Sequence, residues 1–258
     1  MAASGLFGVE PVILGHRGCG RGTVAGYEEN TLESFLAAVE LGLDWLEVDI
    51  RRTSDDQLVV AHHPADQEGV FYTDITGEEA SSRGVVLLEE LLEALPPETG
   101  VDLDIKTSME DAARSRAATT AALLAPVASR AARSRPVLMT SFDPSALGIV
   151  REVGIGVPTG LLTWLEFPIG QAVAAAAHLD VQVLAPHCGS LRPNLVEPET
   201  LHRPLEYVID VVHQIGLEFL AWCPGAEFAK ELLDVGADAL CVDDAPTFMQ
   251  TLDRQAAA

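Results

Sequence analysis

Short apolar runs alternate with amphipathic stretches along the whole chain, and this alternation restricts the possible folds more than any other feature. The runs that have the length and composition of strands lie at residues 11–15, 45–51, 58–62, 101–106, 136–141, 159–162, 181–185, 218–222 and 239–242. A chain of 258 residues with this pattern is predicted to form an α/β fold, a (β/α)8 TIM barrel, with a doubly wound open sheet as the alternative. The chain has nine such runs and the barrel needs eight strands, so one run is expected to be an accessory strand.

Helix signals fill the segments between the runs. Asn30-Thr31-Leu32-Glu33 precedes an apolar-periodic stretch, and the Ala-rich residues 109–133 and residues 199–215 are also predicted to be helical. Four glycines fall where helices are expected to end, namely Gly42, Gly154, Gly216 and Gly236.

Residues 64–86 interrupt the alternation with a polar segment rich in Asp, Glu, Gly and Ser. This segment is predicted to be a loop inserted between the second strand region and the following helix, where it would cover the mouth of a pocket. No linker, low-complexity tract or block of charge divides the chain. Residues 1–258 are therefore predicted to form a single domain.

The chain is strongly acidic, with a formal charge of -23 at pH 7. Such a charge repels polyanions and argues against nucleic acid or an anionic membrane as a partner, so a phosphate-bearing substrate needs a metal ion or a few placed cations. No apolar run approaches the ~20 residues that span a bilayer, and residues 1–10 lack the basic and apolar regions of a secretory signal. We expect a cytoplasmic protein without a stable membrane anchor. The sequence does not indicate whether the protein is a monomer or an oligomer.

The cysteines are widely spaced, at Cys19, Cys188, Cys223 and Cys241. They form no CxxC pair and have no histidine at zinc-finger spacing, so the pattern predicts neither a structural zinc site nor a disulfide framework. Reduced, mostly buried thiols are expected.

Carboxylates share one face of two predicted strands. Glu47 and Asp49 alternate with apolar residues, so both point to the same side, and Asp102, Asp104 and Lys106 repeat this pattern on the next long strand. For Asp102 an alternative interpretation is that it lies in solvent at the bottom of its strand. Buried carboxylates need a cation, and the hard oxygens of Glu47, Asp49 and Asp104 favour Mg²⁺, Ca²⁺ or Mn²⁺. Lys106, one of only two lysines, is a candidate phosphate ligand.

Histidines end two of the predicted strands. His16 and Arg17 follow the first run; His62 ends the run at 58–62, and His63 comes directly after it. Since neighbours on a strand point to opposite sides, one of His62 and His63 is expected to face the pocket and the other to pack behind it. With a divalent ion nearby, one histidine can remove a proton from the nucleophile while the other protonates the leaving group. The residues suggest metal-assisted cleavage of a phosphate ester.

The motifs that carry this chemistry occur in a definite order along nearly the whole chain: Gly15-His16-Arg17-Gly18, Glu28-Glu29-Asn30-Thr31, Glu47-Val48-Asp49, Val59-Val60-Ala61-His62, Leu103-Asp104-Ile105-Lys106, Ser141-Phe142-Asp143-Pro144 and, more faintly, Gly236-Ala237-Asp238 through Asp244. In this order they resemble the glycerophosphodiester phosphodiesterase family. The resemblance implies a (β/α)8 barrel that hydrolyses small-molecule glycerophosphodiesters to glycerol 3-phosphate and an alcohol with the help of a divalent cation.

The resemblance also assigns expected roles to individual residues. It implies that His16 and His62 form the acid–base pair and that Arg17 and Lys106 contact the phosphate. The implied metal ligands are Glu47, Asp49 and Asp104. Glu29 is placed at the site as a metal ligand or as a group supporting one, and Trp222 as an aromatic residue near the substrate.

Several positions depart from the family pattern. Asp104 stands where the family usually has Glu, and His63 where it usually has Asp. The segment after Trp222 has Cys223-Pro224-Gly225 in place of Thr-Val-Asn, and Asp243-Asp244 replaces a Thr-Asp pair. The long spacing from Gly18 to Glu28 resembles the subgroup that acts on glycerophosphocholine-like substrates. Two alternative functions remain: phospholipase D-like cleavage of lysophospholipids or sphingolipids, and a catalytically silent barrel that binds phosphodiesters.

Overall fold

Eight parallel strands close into a barrel in the computed structural model, which describes residues 5–153 and 156–256. In chain order the strands are β1 (Val12–His16), β2 (Thr23–Val24), β3 (Tyr27–Glu28), β4 (Trp45–Arg52), β5 (Leu58–Val60), β6 (Gly100–Ile105), β7 (Val137–Ser141), β8 (Thr159–Thr163), β9 (Val183–Pro186), β10 (Glu218–Trp222) and β11 (Ala239–Val242). Strand β1 pairs in parallel with both β4 and β11, which closes the barrel. The predicted (β/α)8 fold is confirmed. The accessory strand is β5, which runs antiparallel to β4, while β2 and β3 form a separate hairpin.

The helices lie outside the barrel: α1 (Leu32–Glu40), α2 (Gly77–Ser82), α3 (Leu88–Ala94), α4 (Thr120–Ala131), α5 (Pro144–Val153), α6 (Ile169–Leu179), α7 (Leu205–Gln214), α8 (Ala226–Asp234) and α9 (Ala245–Ala256). Helix α1 begins where the sequence predicts, because the Thr31 side chain accepts a hydrogen bond from Ser34 N. The predicted end at Gly154 lies outside the described residues. No helix in the described ranges is long and apolar enough to cross a membrane.

Two predicted helices begin later than their sequences suggest. Residues 109–118 form short 3₁₀ turns, and α4 begins only after Thr119, whose side chain accepts from Ala122 N. Asp111 holds this start in place, since its carboxylate accepts from both Thr120 N and Thr120 Oγ1. Helix α7 begins after Pro204 rather than at residue 199, because a proline pre-sets the φ angle of a helix start and cannot donate within one.

The inserted segment, residues 64–86, contains more structure than the predicted loop. It includes a 3₁₀ turn at Tyr72–Asp74 and helix α2, which Thr76 caps through reciprocal bonds with Glu79. Tyr72 and Ala80 pack with Val59 of β5 in a small separate core. The segment is therefore anchored to the barrel by β5.

The barrel interior is filled from below by apolar side chains. Leu14, Leu138, Leu162 and Leu220 belong to this inner core, while a larger core lies between the strands and the helices. At the bottom, the Phe7 ring meets the Trp45 ring edge to face, with centroids 5.1 Å apart. These apolar side chains fill the barrel below the polar residues at the carboxyl ends of the strands.

A tight turn after β1 carries the Gly15-His16-Arg17-Gly18 motif. A Cβ atom on Gly15 would lie 2.0 Å from the Gly18 carbonyl oxygen, and Arg17 has a positive φ of 58°. Only glycine at position 15 lets the chain fold back so closely. His16 and Arg17 therefore depend on Gly15 for their placement.

We predict that Gly15→Ala lowers the free energy of unfolding by about 2 kcal/mol, because the added methyl group forces the Gly18 carbonyl to move. Urea denaturation followed by circular dichroism measures the loss. The matched control is Gly170→Ala in α6, where a Cβ would have no neighbour within 4 Å and which should be neutral or stabilising. Equal stability of the Gly15→Ala and wild-type proteins would contradict this account of the turn.

Candidate active site

The strand register brings the polar side chains together. His16 on β1 lies opposite Glu47 on β4, and across the next pair Glu47 lies opposite Asp102 while Asp49 lies opposite Asp104. Side chains on one strand alternate between the barrel interior and the helix layer, so all five of these point inward. They meet near the carboxyl ends of the strands, where barrel enzymes place their active sites.

Glu47, Asp49 and Asp104 form what we call the carboxylate cluster. One oxygen from each lies within 4.8 Å of the others, and all three residues are buried. Burial raises the pKa of Glu47 well above its usual range and also raises the pKa of Asp104. Among the described residues, Asp104 Oδ1 has no hydrogen-bond partner. Three buried oxygen donors and an unpartnered carboxylate oxygen fit a hard divalent cation.

Two cations lie against this cluster. Lys106 Nζ is 2.8 Å from Asp49 Oδ1 and also pairs with Asp104. Arg17 Nε is 3.3 Å from Asp49 Oδ2. Burial alone would raise the pKa of Asp49, but the charges of Lys106 and Arg17 outweigh it and hold that pKa well below its usual range. Asp49 is therefore ionised at neutral pH.

The two predicted histidines both line the cavity that contains the cluster. His16 Nε2 is 3.8 Å from Glu47 Oε2, while His16 Nδ1 hydrogen bonds to the Asp243 carboxylate. His62 follows β5 and is half-buried. Burial lowers the pKa of His62 to about 4, with Arg17 adding to the effect and Asp49 opposing it. His62 is therefore neutral at pH 7.

His63 differs from its sequence-based prediction. Instead of packing behind His62, it lines the same cavity, and the two rings meet edge to face with centroids 4.7 Å apart. The prediction relied on a strand that continues to His62. Strand β5 ends at Val60, so the strict alternation of faces no longer applies at His62 and His63.

The Glu-Asn-Thr motif supports the cluster from the start of α1. Asn30 Nδ2 donates to Asp49 Oδ2 at 2.8 Å, and Asn30 N donates to the Arg17 carbonyl. Glu29 accepts from Arg17 at 2.7 Å and from Gly22 N. Its carboxylate thus lies on the far side of Arg17 and is not one of the three in the carboxylate cluster.

Asp102 does not lie in solvent at the bottom of its strand, which was the alternative that the sequence left open. It is buried and lines the cavity, and its carboxylate accepts from Thr140 Oγ1 at 2.7 Å. Burial raises the pKa of Asp102 to about 8. Solvent cannot reach it from below because the Trp45 ring fills that space; a Cβ on Gly100 would lie 2.4 Å from the ring.

The cavity above these groups has a volume of about 440 Å³. One wall is aromatic: Phe142 stacks on Trp164 with centroids 4.1 Å apart and meets Trp222 edge to face at 5.7 Å. Trp222, expected near the substrate, thus lines the cavity with both histidines. Asp143 and Lys106 also line it. The cavity combines apolar surface for an organic group with a charged floor.

Sequence reasoning gave no role to Asp243, which orients His16. Asp243 directly follows the last barrel strand, and position at the carboxyl end of a barrel strand is the one signal that could have identified it. Asn30 belongs to a quoted motif, but its bond to Asp49 was not predicted. Phe142 and Trp164 were likewise given no role in the site.

The family model described as the glycerophosphoryl diester phosphodiesterase family matches residues 16–247. The chain belongs to this family of enzymes. Solved structures share the fold of this chain. A putative glycerophosphodiester phosphodiesterase from Galdieria sulphuraria superposes with a TM-score of 0.76 at 21% sequence identity. The match covers 95% of this chain and 98% of the Galdieria sulphuraria chain. An Oleispira antarctica phosphodiesterase, solved with its product sn-glycerol-3-phosphate, has a TM-score of 0.73 and 20% identity, covering 95% and 97%.

A curated relative is the Arabidopsis thaliana glycerophosphodiester phosphodiesterase GDPD2, which is 25% identical over 197 residues. The match covers 58% of this chain and 53% of the relative. This chain therefore spans about half the length of the curated relative that it matches. At these identities the solved structures establish the fold, and the choice of reaction depends on the site itself.

Proposed function

We propose that this protein hydrolyses glycerophosphodiesters to glycerol 3-phosphate and an alcohol, with a divalent cation held by Glu47, Asp49 and Asp104. The observation that carries the proposal is the placement of His16 and His62 in the same cavity as the carboxylate cluster. A site that only binds a phosphodiester needs no such pair of proton-transfer groups. Family membership favours the same reaction class.

The carboxylate cluster has the chemistry that Mg²⁺, Ca²⁺ or Mn²⁺ requires. Such an ion, when bound, offsets negative charge on the phosphoryl oxygens as the substrate reacts. Arg17 and Lys106 pair with the cluster and line the cavity, which supports the proposal that both contact the substrate phosphate. Their positive charges also offset the acidity of the chain at this one place.

The environments of the two histidines support different roles. His62 is neutral at pH 7 and so accepts the proton of the attacking hydroxyl group. Asp243 binds His16 Nδ1, which directs Nε2 toward Glu47 and the cavity. With Nδ1 held by Asp243, a proton on Nε2 points into the cavity, which suits His16 to donate it to the departing alkoxide. This division of roles is part of the proposal.

Glycerol 3-phosphate release tests the proposal. The protein is treated with a chelator and assayed with glycerophosphocholine and glycerophosphoethanolamine before and after addition of Mg²⁺, Ca²⁺ or Mn²⁺. We expect no release after chelation and recovery with at least one ion. No release from either substrate with any of the ions would reject the proposal.

A low pKa at His62 predicts the acid limb of the pH profile. Because the neutral ring is the base, kcat/KM should stay near its maximum as the pH falls through ~6.5, the ordinary histidine value. The decline should begin only near the His62 pKa of about 4. The measurement is kcat/KM against pH with the cation saturating at each point. A half-maximal point near 6.5 that does not move when more cation is added would show instead that His62 is charged under working conditions, because more cation would reverse protonation of Glu47 or Asp104.

Exposed apolar side chains in the loops after β8 and β9 favour the lysophospholipid alternative as a second candidate. Trp164 and Leu165, directly after β8, are 64% and 58% exposed, and Leu195 in the loop after β9 is 93% exposed. Such side chains can contact acyl chains. A rate on lysophosphatidylcholine that rises sharply above its critical micelle concentration would support this candidate. A rate confined to water-soluble diesters would reject it.

A further inference from the structure

A second group of metal-binding side chains lies next to the carboxylate cluster and shares no residue with it. His16 Nδ1, Cys223 Sγ and an Asp243 oxygen lie within 4.8 Å of one another. Cys223 Sγ is 3.1 Å from Asp243 Oδ1 and 3.7 Å from His16 Nδ1. We refer to these three residues as the His–Cys–Asp cluster. The cluster includes His16, whose imidazole the proposed reaction uses. The cluster atom is Nδ1, whereas Nε2 is the nitrogen that lies near Glu47.

The spacing of these atoms is close to that of a tetrahedral zinc site. With Zn–S near 2.3 Å and Zn–N and Zn–O near 2.0–2.2 Å, the ligand atoms of such a site are about 3.3–3.6 Å apart. The separations of 3.7 Å and 3.1 Å from Cys223 Sγ are therefore within about 0.5 Å of the required values. The hydrogen bonds of Asp243 with His16 and with Cys223 must both open, which needs a small rotation of the Asp243 side chain. The Cys223 thiol releases its proton to solvent as it binds the ion.

Backbone contacts hold two of the ligands in place. Cys223 has a positive φ of 56° directly after β10, and its N–H donates to the Cys241 carbonyl at 2.8 Å. The Asp243 carbonyl accepts from Arg21 N at 3.0 Å, and a Cβ on Gly20 would lie 2.0 Å from it. The Asp243 side chain is 37% exposed, so the fourth position of a tetrahedral ion faces a route to solvent.

The ligand types separate this cluster from the carboxylate cluster. Thiolate and imidazole select zinc over magnesium and calcium, whereas an all-carboxylate site prefers the hard ions. We propose that His16, Cys223 and Asp243 bind Zn²⁺ and that this binding inhibits the protein.

Inhibition follows from the two nitrogens of one imidazole. Zinc at His16 Nδ1 leaves the proton on Nε2 and removes the Asp243 carboxylate from the ring. The ring can then neither accept a second proton nor release the one at Nε2 readily. This consequence rests on the proposed function, whereas zinc binding itself does not.

The activity arm of the test measures inhibition by Zn²⁺ at saturating Mg²⁺, Ca²⁺ or Mn²⁺, whichever supports turnover. Cys223→Ser keeps a hydroxyl group that can donate to Asp243 but removes the thiolate. We expect it to raise the half-inhibitory zinc concentration by about tenfold or more. Cys188→Ser is the matched control: that neighbouring half-buried thiol is outside the cluster, and serine keeps a donor for the Cys223 carbonyl, which Cys188 Sγ contacts at 3.0 Å, so the inhibition should be unchanged. The alternative is that zinc binds in the carboxylate cluster. A higher concentration of the activating ion would then relieve the inhibition, and it would do so equally in wild type and in Cys223→Ser. That result would overturn the proposal.

The binding arm needs no turnover. Co²⁺, used as a probe, should give a thiolate-to-cobalt charge-transfer absorption in the wild type and in Cys188→Ser but not in Cys223→Ser. Zinc should also protect Cys223 from alkylation by iodoacetamide, as followed by mass spectrometry of the wild-type protein. Absence of the absorption band together with unprotected Cys223 would reject the site. If the band and the protection appear in a protein that hydrolyses no glycerophosphodiester, the zinc site stands and the proposed function fails.

Discussion

Glu47→Gln is expected to lower kcat/KM for glycerophosphodiesters by about a thousandfold, because the amide cannot supply the negative charge that a divalent cation needs. The substitution preserves the shape of the side chain and retains an oxygen that can accept from Arg17 N, as Glu47 Oε2 does at 3.1 Å. It changes the charge of the carboxylate cluster without opening a cavity. Steady-state kinetics and calorimetric titration of the cation together measure the effect, and both catalysis and affinity for the ion should fall.

The matched control for this variant is Asp102→Asn. Asp102 is also buried on the inner face of a barrel strand, but its carboxylate binds Thr140 rather than joining the carboxylate cluster. Since burial raises its pKa to about 8, the side chain is mostly neutral at pH 7 and asparagine resembles it. We expect Asp102→Asn to retain nearly wild-type kcat/KM and cation affinity. Equal losses in both variants would mean that general disruption of the barrel interior, rather than loss of a ligand, explains the effect.

The parts of the fold that depend on local pattern were predictable from the sequence. Alternation within 45–50 and 101–106 placed Glu47 and Asp49 on one face and Asp104 and Lys106 on another, and the parallel register then brings these faces together. The start of α1 was equally predictable, since Thr31 caps it through a bond only three residues long. In each case the determining contact is near in sequence or is imposed by a repeating geometry.

The parts that were missed depend on contacts across the closure of the barrel. The bond from His16 to Asp243 joins residues 227 positions apart, and no periodicity in the sequence relates them. Cys223 joins the same neighbourhood only because β10 and β11 lie side by side. The cysteine spacing predicts no zinc site for the same reason: the ligands come from three different strand ends.

His16→Ala should lower kcat by about a thousandfold on glycerophosphocholine, whose alkoxide leaving group needs a proton as the bond to phosphorus breaks. Asp243→Asn keeps a hydrogen-bonding partner for His16 but removes the negative charge beside Nδ1. We expect it to cost less, about a hundredfold, since His16 itself remains. The same assays on His62→Ala should show a loss comparable with that of His16→Ala, because removal of the base also blocks the reaction.

A substrate with a nitrophenol leaving group separates the acid from the base. Nitrophenolate departs without protonation, so His16→Ala should recover most of its activity on the glycerophosphodiester of 4-nitrophenol. His62→Ala should stay impaired on this substrate, since the attacking hydroxyl still has to lose its proton. The neutral state of His62 and the pairing of His16 with Asp243 both favour this pattern. Recovery in His62→Ala instead would exchange the two roles, and recovery in neither would mean that His16 acts before the leaving group departs.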